Sequence, residues 1–387
     1  MIGRLFCIAI LLFASYVNAQ NTPTFFAFTE ATNRAKTSVE LVNLVDATIA
    51  IPLTDSNYKK WKSAFWAMEI MLYKPTIFEA NIPIYLNQFK QLSAELQWAF
   101  LEALYTLYPG NYAKQVENIL QESKTAKIKS LILEYLILKQ ICPKIDSKDP
   151  FRKSPYYQLY LSNIQKISST TPIKEAALLN TNFLNNQTVL VSFQFKDRNM
   201  PGYLMIRNQV GNWVLDSTNT PFRFKQLARS ITNMPYYLTN GNTPQGLYKI
   251  TGLDTSNNNW IGPTTNLQMV MPYEHTEGIQ FFSSSNELTN KHFYQSLLGP
   301  LASIEGLWQS YEAGKIGRSE IIAHGTTIPT QFYLKQPYFP CTPSLGCLCS
   351  PEVWNEHGML VSSVQADWMA VVKKLTQFPN YILVVEL

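Results

Sequence analysis

Apolar residues recur every three to four positions between about residues 57 and 142, which is the spacing of one face of an α-helix. The stretches 56–74, 92–110, 111–124 and 126–142 each carry the pattern, and Pro109-Gly110 ends the second of them. The positions predicted to be buried in 92–110 and 126–142 are Leu96, Phe100, Ala103, Leu104, Leu107, Ile128, Leu131, Ile132, Tyr135 and Leu138. Short turns between such helices predict an all-α domain over residues 20–185, with 20–55 irregular except for a short helix at 37–45.

β-Branched and aromatic residues dominate after about residue 185, which indicates strands. "NQVGN" (208–212) predicts the turn of a hairpin, and a helical stretch at 288–317 interrupts the strands. The predicted strands include "QTVLVSFQF", "GLYKITG", "NLQMVMPY", "GIQFFSS", "EIIAHG" and "NYILVVEL". The predicted fold class is therefore α+β and multidomain: an all-α N-terminal domain, then a mostly β domain over 186–387 with a helical insertion.

The N-terminus has the organisation of a secretory signal peptide. Arg4 precedes the apolar stretch "LFCIAILLF", which is too short to span a bilayer, and Val17 and Ala19 are the small residues expected before a cleavage site. We predict a signal peptide at 1–19, with a retained membrane anchor as the alternative. No later run of 18 apolar residues occurs, so we expect a mature chain without a transmembrane segment, located in the periplasm or secreted.

Composition and charge narrow the function classes. Hydrophobic residues make up 46% of the 387 residues and charged residues 15%, which is typical of a folded protein. The formal net charge of +5 is scattered along the chain, so a nucleic-acid partner is not expected. A mildly basic surface is compatible with an anionic polymer such as a bacterial cell wall. The oligomeric state stays open.

Candidate chemistry centres on "PSLGCLCS" (343–350). Cys341, Cys347 and Cys349 form a C-x5-C-x-C pattern that does not match the paired ligands of structural zinc sites, so we predict neither a metal nor a cofactor. A Cys341–Cys349 disulfide is sterically reasonable and would leave Cys347 unpaired. Cys347 could instead be a nucleophile, if the histidine that ends the apolar stretch "EIIAH" serves as its base.

Four stretches of the C-terminal half resemble the YkuD-type L,D-transpeptidases. Along the chain they are "NTPQGLYKI" (242–250), "MVMPY" (269–273), "HGT" (324–326) and "SLGCLC" (344–349), and this order is typical of that family. The resemblance covers about residues 200–387 and implies a YkuD-like catalytic domain there. It also implies activity on the stem peptides of peptidoglycan, at the carbonyl of the third residue. The acyl group would then pass from a cysteine thioester to an amine or to water.

The resemblance also assigns residue roles. Cys347 is the implied nucleophile and His324 its base, while Ser344 and Gly346 match the serine and glycine of the family signature. Backbone N–H groups from Leu345 to Cys347, in the family's oxyanion-binding position, would stabilise the negative charge that develops on the carbonyl, and Gly325 follows the base.

Two signature positions differ from the family. Leu345 replaces a second histidine, and Cys349 replaces an arginine for which Arg318 or Lys335 could substitute. The remaining histidines, His275, His292 and His357, are predicted to be solvated.

Three functions stay open at this point. The first is an L,D-transpeptidase that uses Cys347 and His324. The second is an L,D-carboxypeptidase, or another cysteine hydrolase, that uses the same pair with water as the acceptor. The third is a non-catalytic wall-binding or scaffolding protein that has retained the fold.

Overall fold

The computed structural model describes residues 24–166, 173–179, 183–276 and 279–387. The predicted signal peptide at 1–19 lies outside the described residues. A helical region comes first and a mostly β region follows it, as the sequence pattern predicts.

The helical region begins with a strand, β1 (Phe25–Glu30), which leads directly into the first helix. The helices are α1 (Ala31–Ile49), α2 (Tyr58–Met71), α3 (Thr76–Asn87), α4 (Ala94–Leu107), α5 (Ala113–Asn118), α6 (Ala126–Ile137), α7 (Pro155–Lys166) and α8 (Glu175–Leu179). The Ser93 side chain caps α4 by accepting the Leu96 N–H, and the helix ends two residues before Pro109.

The predicted helical faces are buried at nine of their ten positions, from Leu96 to Tyr135. The exception is Leu138, which is 41% exposed. It follows the end of α6 at Ile137, so the helical periodicity no longer determines where its side chain points. Residues 20–55 were predicted to be irregular apart from a short helix, whereas within them β1 and the 19-residue α1 are regular. The N-terminal half of α1 is too polar for its helical face to be recognised in the sequence.

The β region is built on one eight-stranded sheet. In the order in which they pair, its strands are β10 (Leu348–Cys349), β9 (Ala323–His324), β6 (Asn266–Val270), β5 (Gly246–Asp254), β13 (Tyr381–Glu386), β2 (Val189–Gln194), β3 (Gly202–Arg207) and β4 (Phe224–Gln226). Leu227, directly after β4, exchanges two backbone hydrogen bonds with Cys349, of 2.8 and 2.9 Å. The two outermost strands therefore meet, and the sheet is nearly closed.

Alternate residues of the sheet face two different cores. Ile382 and Val384 of β13 belong to a core that also contains residues of the N-terminal helices and of α11 (Val364–Lys373). Leu383 and Val385 belong to a second core, with α9 (Glu287–Leu298) and α10 (Gln309–Lys315). The period of two follows from the pleat of the strand. One core spans both regions of the chain, so the N-terminal helices pack against the β region.

Two smaller sheets complete the fold. β1 pairs with β12 (His357–Ser363), which also pairs with β11 (Glu352–Trp354), so the first described segment joins the C-terminal region. The predicted strands at 278–284 and 320–325 shrink to two residues each, β8 (Ile279–Gln280) and β9, and β8 pairs with β7 (His275–Thr276). Within the described ranges, no helix combines the length and the apolar character that crossing a bilayer requires.

Candidate functional site

The parallel pairing of β9 with β10 brings the two principal candidates to one cavity. Ala323 lies opposite Leu348, and His324 lies opposite Cys349. Cys347 is the residue directly before β10. His324 and Cys347 both line a cavity of about 280 Å³, together with Ser344 and Leu345. Residues that are 23 positions apart in the sequence (347 − 324) thus share one site.

The Cys347 thiol is bonded to the backbone of the segment before β9. Its Sγ accepts the Ile322 N–H at 3.5 Å and donates to the Glu320 carbonyl oxygen at 3.6 Å. Within the described residues, the thiol makes no hydrogen bond to the His324 ring. Although Cys347 is only partly buried from solvent, the surrounding protein raises the pKa of its thiol to about 11 by desolvation, and the nearby Arg318 lowers it only in part. At neutral pH the thiol is therefore protonated.

The His324 ring is buried, with 4% of its surface exposed. Its Nδ1 hydrogen-bonds the carbonyl oxygen of Gly325, and because a carbonyl can only accept, Nδ1 carries the proton. The other ring nitrogen, Nε2, is left as a proton acceptor. Burial lowers the pKa of His324, so the ring is neutral at neutral pH. The tautomer is the one that a general base at Nε2 requires.

Arg318 supplies a buried positive charge beside Cys347. Its Nη1 donates to the carbonyl oxygens of Tyr236 and Asn242, and its Nη2 donates to that of Gly241. Burial lowers the pKa of this guanidinium to about 10, so it stays charged at neutral pH. The sequence left Arg318 and Lys335 as alternatives, and only Arg318 lines the cavity, whereas Lys335 is exposed.

The loop that precedes Cys347 is shaped by Ser344 and Gly346. Ser344 Oγ accepts the Gly346 N–H at 3.2 Å and donates to the Cys347 carbonyl oxygen at 3.0 Å, which closes the loop on itself. The Gly346 amide is therefore engaged. In the described part of the chain, the N–H groups of Leu345 and Cys347 have no acceptor. These two N–H groups are available to hydrogen-bond an oxyanion. Leu345 lies at the edge of the cavity and is 44% exposed.

Gly346, which matches the glycine of the family signature, packs against a side chain and a backbone carbonyl. A Cβ on Gly346 would lie 2.3 Å from Arg318 Nη2 and 2.6 Å from the Gly241 carbonyl oxygen, and its φ is +116°. Both the backbone conformation and the guanidinium therefore require glycine here.

Gly325 is likewise in contact with a side chain, since a Cβ there would lie 2.3 Å from a carboxylate carbon of Glu352. That carboxylate accepts the Thr326 N–H at 3.0 Å and the Ser363 hydroxyl at 2.6 Å. These bonds hold the backbone segment that carries the acceptor of the His324 Nδ1–H. Gly325 and Glu352 therefore act on the orientation of the imidazole.

Cys341 and Cys349 are both buried free thiols, so the disulfide alternative is not formed in this structure. Burial raises the pKa of Cys341 to about 11 and raises that of Cys349 further. Both are therefore neutral. The described residues contain no group of three or more His, Cys, Asp or Glu side chains that could hold a metal ion. Of the other histidines, His292 and His357 are exposed.

Sequence reasoning did not anticipate that the helical region contributes to the site. Trp66 and Ile70 of α2 line the cavity of Cys347, together with Trp260 and Ile261 of the β region. Glu320, whose carbonyl accepts the thiol, has a φ of +63°, which is unusual for a residue with a side chain. Its own N–H donates to Glu274 at 2.8 Å. Neither the approach of α2 nor this backbone conformation leaves a signal in the spacing of the motifs.

The site therefore combines a neutral thiol, a neutral imidazole with a free Nε2, a buried guanidinium and two unengaged amides. No protein-family model, curated protein or solved structure matches the chain. What the cavity can do chemically is inferred from these residues alone.

Proposed function

We propose that the protein is an L,D-transpeptidase that acts on peptidoglycan stem peptides through a Cys347 thioester, with His324 as the base. The observation that supports it is the convergence of His324 and Cys347 on one cavity. The YkuD-like motifs of the sequence supply the substrate class and the fold that we propose for the catalytic region.

The proposed reaction starts from two neutral groups. Because burial favours the neutral thiol and the neutral imidazole, the proton moves from Sγ to Nε2 as the sulfur attacks the carbonyl carbon. Sγ must first leave its bond to the Glu320 carbonyl and turn toward the ring. The resulting oxyanion accepts hydrogen bonds from the N–H groups of Leu345 and Cys347.

The first half of the reaction ends when the leaving group departs, and the second half releases the enzyme. The imidazolium of His324 returns its proton to the leaving amine, the terminal D-alanine departs, and the acyl group stays on sulfur. An amine or water then attacks the thioester and gives its proton to His324, the C–S bond breaks, and the Cys347 sulfur takes the proton back. The product is an amide cross-link with an amine, or a carboxylic acid with water. An L,D-carboxypeptidase would use the same two residues and differ only in this acceptor.

Arg318 has a positioning role in this proposal. Three of its hydrogen bonds go to backbone carbonyls of the 236–242 loop, and its Nη2 lies behind Gly346. Its charge acts on the thiol through space and lowers the pKa of Cys347. Cys349, at the position of the family's arginine, is buried and neutral. The stem peptide would therefore be recognised without a guanidinium at that position.

The rival function is a non-catalytic wall-binding protein. It is favoured by the raised pKa of Cys347 and by the bond of its thiol to Glu320 rather than to His324. In that case the cavity would bind a stem peptide without forming a thioester.

A carbapenem distinguishes the two functions, because it acylates nucleophilic thiols of this kind. Purified mature protein is incubated with the drug under reducing conditions, and adducts are located by intact mass and peptide mapping. We expect one adduct on Cys347 in the wild type, none in Cys347→Ala and slower formation in His324→Ala. Cys142→Ala is the matched control, because Cys142 is an exposed thiol outside the cavity. Absence of any wild-type adduct would favour the non-catalytic function.

The compartment belongs to the same proposal. Stem peptides lie outside the cytoplasm, so the protein would act in the periplasm or as a secreted protein after removal of residues 1–19. N-terminal sequencing of the protein isolated from its own cells tests this, and the expected first residue is Gln20.

Incubating the acylated enzyme with an added amine, and comparing amide with acid product, then separates transpeptidase from carboxypeptidase.

A further inference from the structure

A second cavity, of about 550 Å³, lies between the N-terminal helices and the 239–240 loop. Its wall is largely aromatic, with Tyr58, Phe65 and Trp66 from α2 and Trp98 from α4. Trp66, Thr239, Asn240 and Leu345 also line the cavity of Cys347, so the two cavities are neighbours.

Two buried carboxyl groups, Glu69 and Glu102, also line this second cavity, and their environments differ. Glu102 accepts the Trp98 Nε1–H at 2.8 Å and an Asn240 Nδ2–H at 2.6 Å. Glu69 is only 5% exposed, and its carboxyl group has no hydrogen-bond or ion-pair partner among the described residues. A buried carboxyl without a donor is rare, because desolvation of the group is then uncompensated.

The cations at the edge of the cavity do not supply the missing partner. Lys127 is held in place, since its Nζ donates to Thr239 Oγ1 at 2.6 Å and lies 4.3 Å from the centre of the Trp98 ring. Lys62 is exposed. Burial raises the pKa of Glu102 to about 7, against the lowering effect of its hydrogen bonds and of the charges of Lys127 and Lys62. Burial, and then the charge of Glu102, raise the pKa of Glu69.

We propose that this cavity binds the primary ammonium group of a ligand, with Glu69 as the principal acceptor of its N–H bonds and Glu102 as the second negative charge. An ammonium group offers hydrogen-bond donors, which Glu69 lacks, and a positive charge, which would offset the negative charge of both carboxylates. The aromatic wall is suited to the same group, since ring faces attract cations. Lys62 and Lys127 at the edge favour an anionic group at the other end of the ligand.

Other ligand chemistries fit less well. A divalent metal ion would lack ligands, since no group of three or more metal-ligating side chains occurs in the described part of the chain. A neutral sugar could accept and donate hydrogen bonds, but it carries no positive charge to favour the ionised form of Glu69 and Glu102. An ammonium group supplies both the positive charge and the hydrogen-bond donors that Glu69 lacks.

Binding should release a proton. Burial, and then the charge of Glu102, raise the pKa of Glu69, so the empty cavity favours the protonated carboxyl group. An ammonium group beside the two carboxyl groups favours their carboxylate forms, so any proton that either group holds in the empty cavity passes to the buffer. No covalent bond forms or breaks. This binding requires neither the Cys347 thiol nor acyl transfer, so it stands independently of the proposed function.

Isothermal titration calorimetry of the Cys347→Ala protein tests the proposal, and that variant keeps acyl transfer out of the measurement. The ligand is Nα-acetyl-lysine, which carries an ammonium group and a carboxylate, and the comparison ligand is its isostere with a hydroxyl in place of the ammonium. Titration in buffers of different ionisation enthalpy measures the protons released. Glu69→Gln is introduced next, with Glu95→Gln as the matched control, because Glu95 lines the same cavity but is exposed.

We expect the hydroxyl isostere to bind at least about tenfold more weakly than the amine, since a charge-assisted bond is lost. Glu69→Gln should bind the amine more weakly by a similar factor and should no longer release a proton. Glu95→Gln should keep the affinity and the proton release of its parent. Absence of amine binding up to about 10 mM, a range that covers weak ligands, would overturn the proposal. Equal binding of the isostere, or unchanged binding by a folded Glu69→Gln protein, would overturn it as well.

Discussion

Arg318 and Gly346 are in direct contact: a methyl group on Gly346 would lie 2.3 Å from Nη2 of Arg318, inside van der Waals distance. The glycine stands immediately before Cys347, and Thr243 Oγ1 donates to its carbonyl oxygen at 2.8 Å. The guanidinium, the 236–242 loop and the loop that presents the thiol are thus packed as one unit.

Gly346→Ala should disrupt this unit. The substitution combines an unfavourable positive φ, which costs roughly 1–3 kcal/mol, with a clash against a guanidinium that is held by three carbonyls. We expect reduced stability in chemical denaturation and a loss of carbapenem adduct on Cys347. Gly211→Ala is the control, because Gly211 has a φ of +89° and open space around it. If both variants lost the same free energy of unfolding, the contact with Arg318 would not contribute to the destabilisation of Gly346→Ala.

Arg318→Lys separates the charge of this residue from its hydrogen bonds. Lysine keeps the positive charge but cannot reach all three backbone carbonyls from one nitrogen. We expect the free energy of unfolding to fall by more than about 2 kcal/mol, because buried carbonyls lose their donors. Lys335→Ala, at the exposed lysine that the sequence offered as an alternative, should change it by less than about 0.5 kcal/mol. A stable Arg318→Lys protein would contradict this account of the loop.

The reactivity of Cys347 should depend on pH as that of a buried neutral thiol does. With a pKa raised to about 11, the thiolate fraction is small at neutral pH and grows about tenfold per pH unit. The rate of iodoacetamide labelling, followed by peptide mass, should therefore rise steadily up to about pH 9. A plateau reached by about pH 8 would instead indicate a thiolate–imidazolium pair in the free protein.

The stability of the protein should also depend on Glu69. Its folded pKa lies well above the ordinary value of 4.5, so the folded state binds the proton more tightly than the unfolded state. The stability that this proton provides is present below pH 4.5 and is lost as the pH rises through the folded pKa. We expect Glu69→Gln to be more stable than the wild type at about pH 8, with a gap that narrows toward about pH 5. Urea denaturation at both values measures the gap, and a gap that is independent of pH would be inconsistent with a buried, unpartnered carboxyl.

Local patterns were enough to predict much of the secondary structure. The apolar faces of α4 and α6, the strands β2, β5 and β13 and the hairpin turn at 208–212 follow from spacing and residue type. Such elements are dictated by local geometry, because a period of 3.6 or of 2 places apolar side chains on one face. The pattern failed where an element is short, as in β9 and β8, or polar, as in the first half of α1.

The cysteine and histidine of the candidate site were also chosen from the sequence, through a histidine, a glycine-preceded cysteine and their order. The sequence left Arg318 and Lys335 as alternatives for a nearby charge, and it did not predict Trp66, which comes from a helix more than 200 positions away from the thiol (347 − 66). Whether Cys347 is bonded to His324 or to Glu320, and how far its pKa rises, depends on burial.

The amino-acid sequence by itself thus determined where helices and strands form and which residues carry candidate chemistry, because both depend on short-range pattern and residue type. Only the tertiary structure decided that the sheet nearly closes through Leu227 and Cys349, and that α2 lines the site. It also decided that the carboxyl group of Glu69 is buried without a hydrogen-bond partner among the described residues. The burial and the contacts of these residues arise from parts of the chain that are distant in sequence, so local patterns do not predict them.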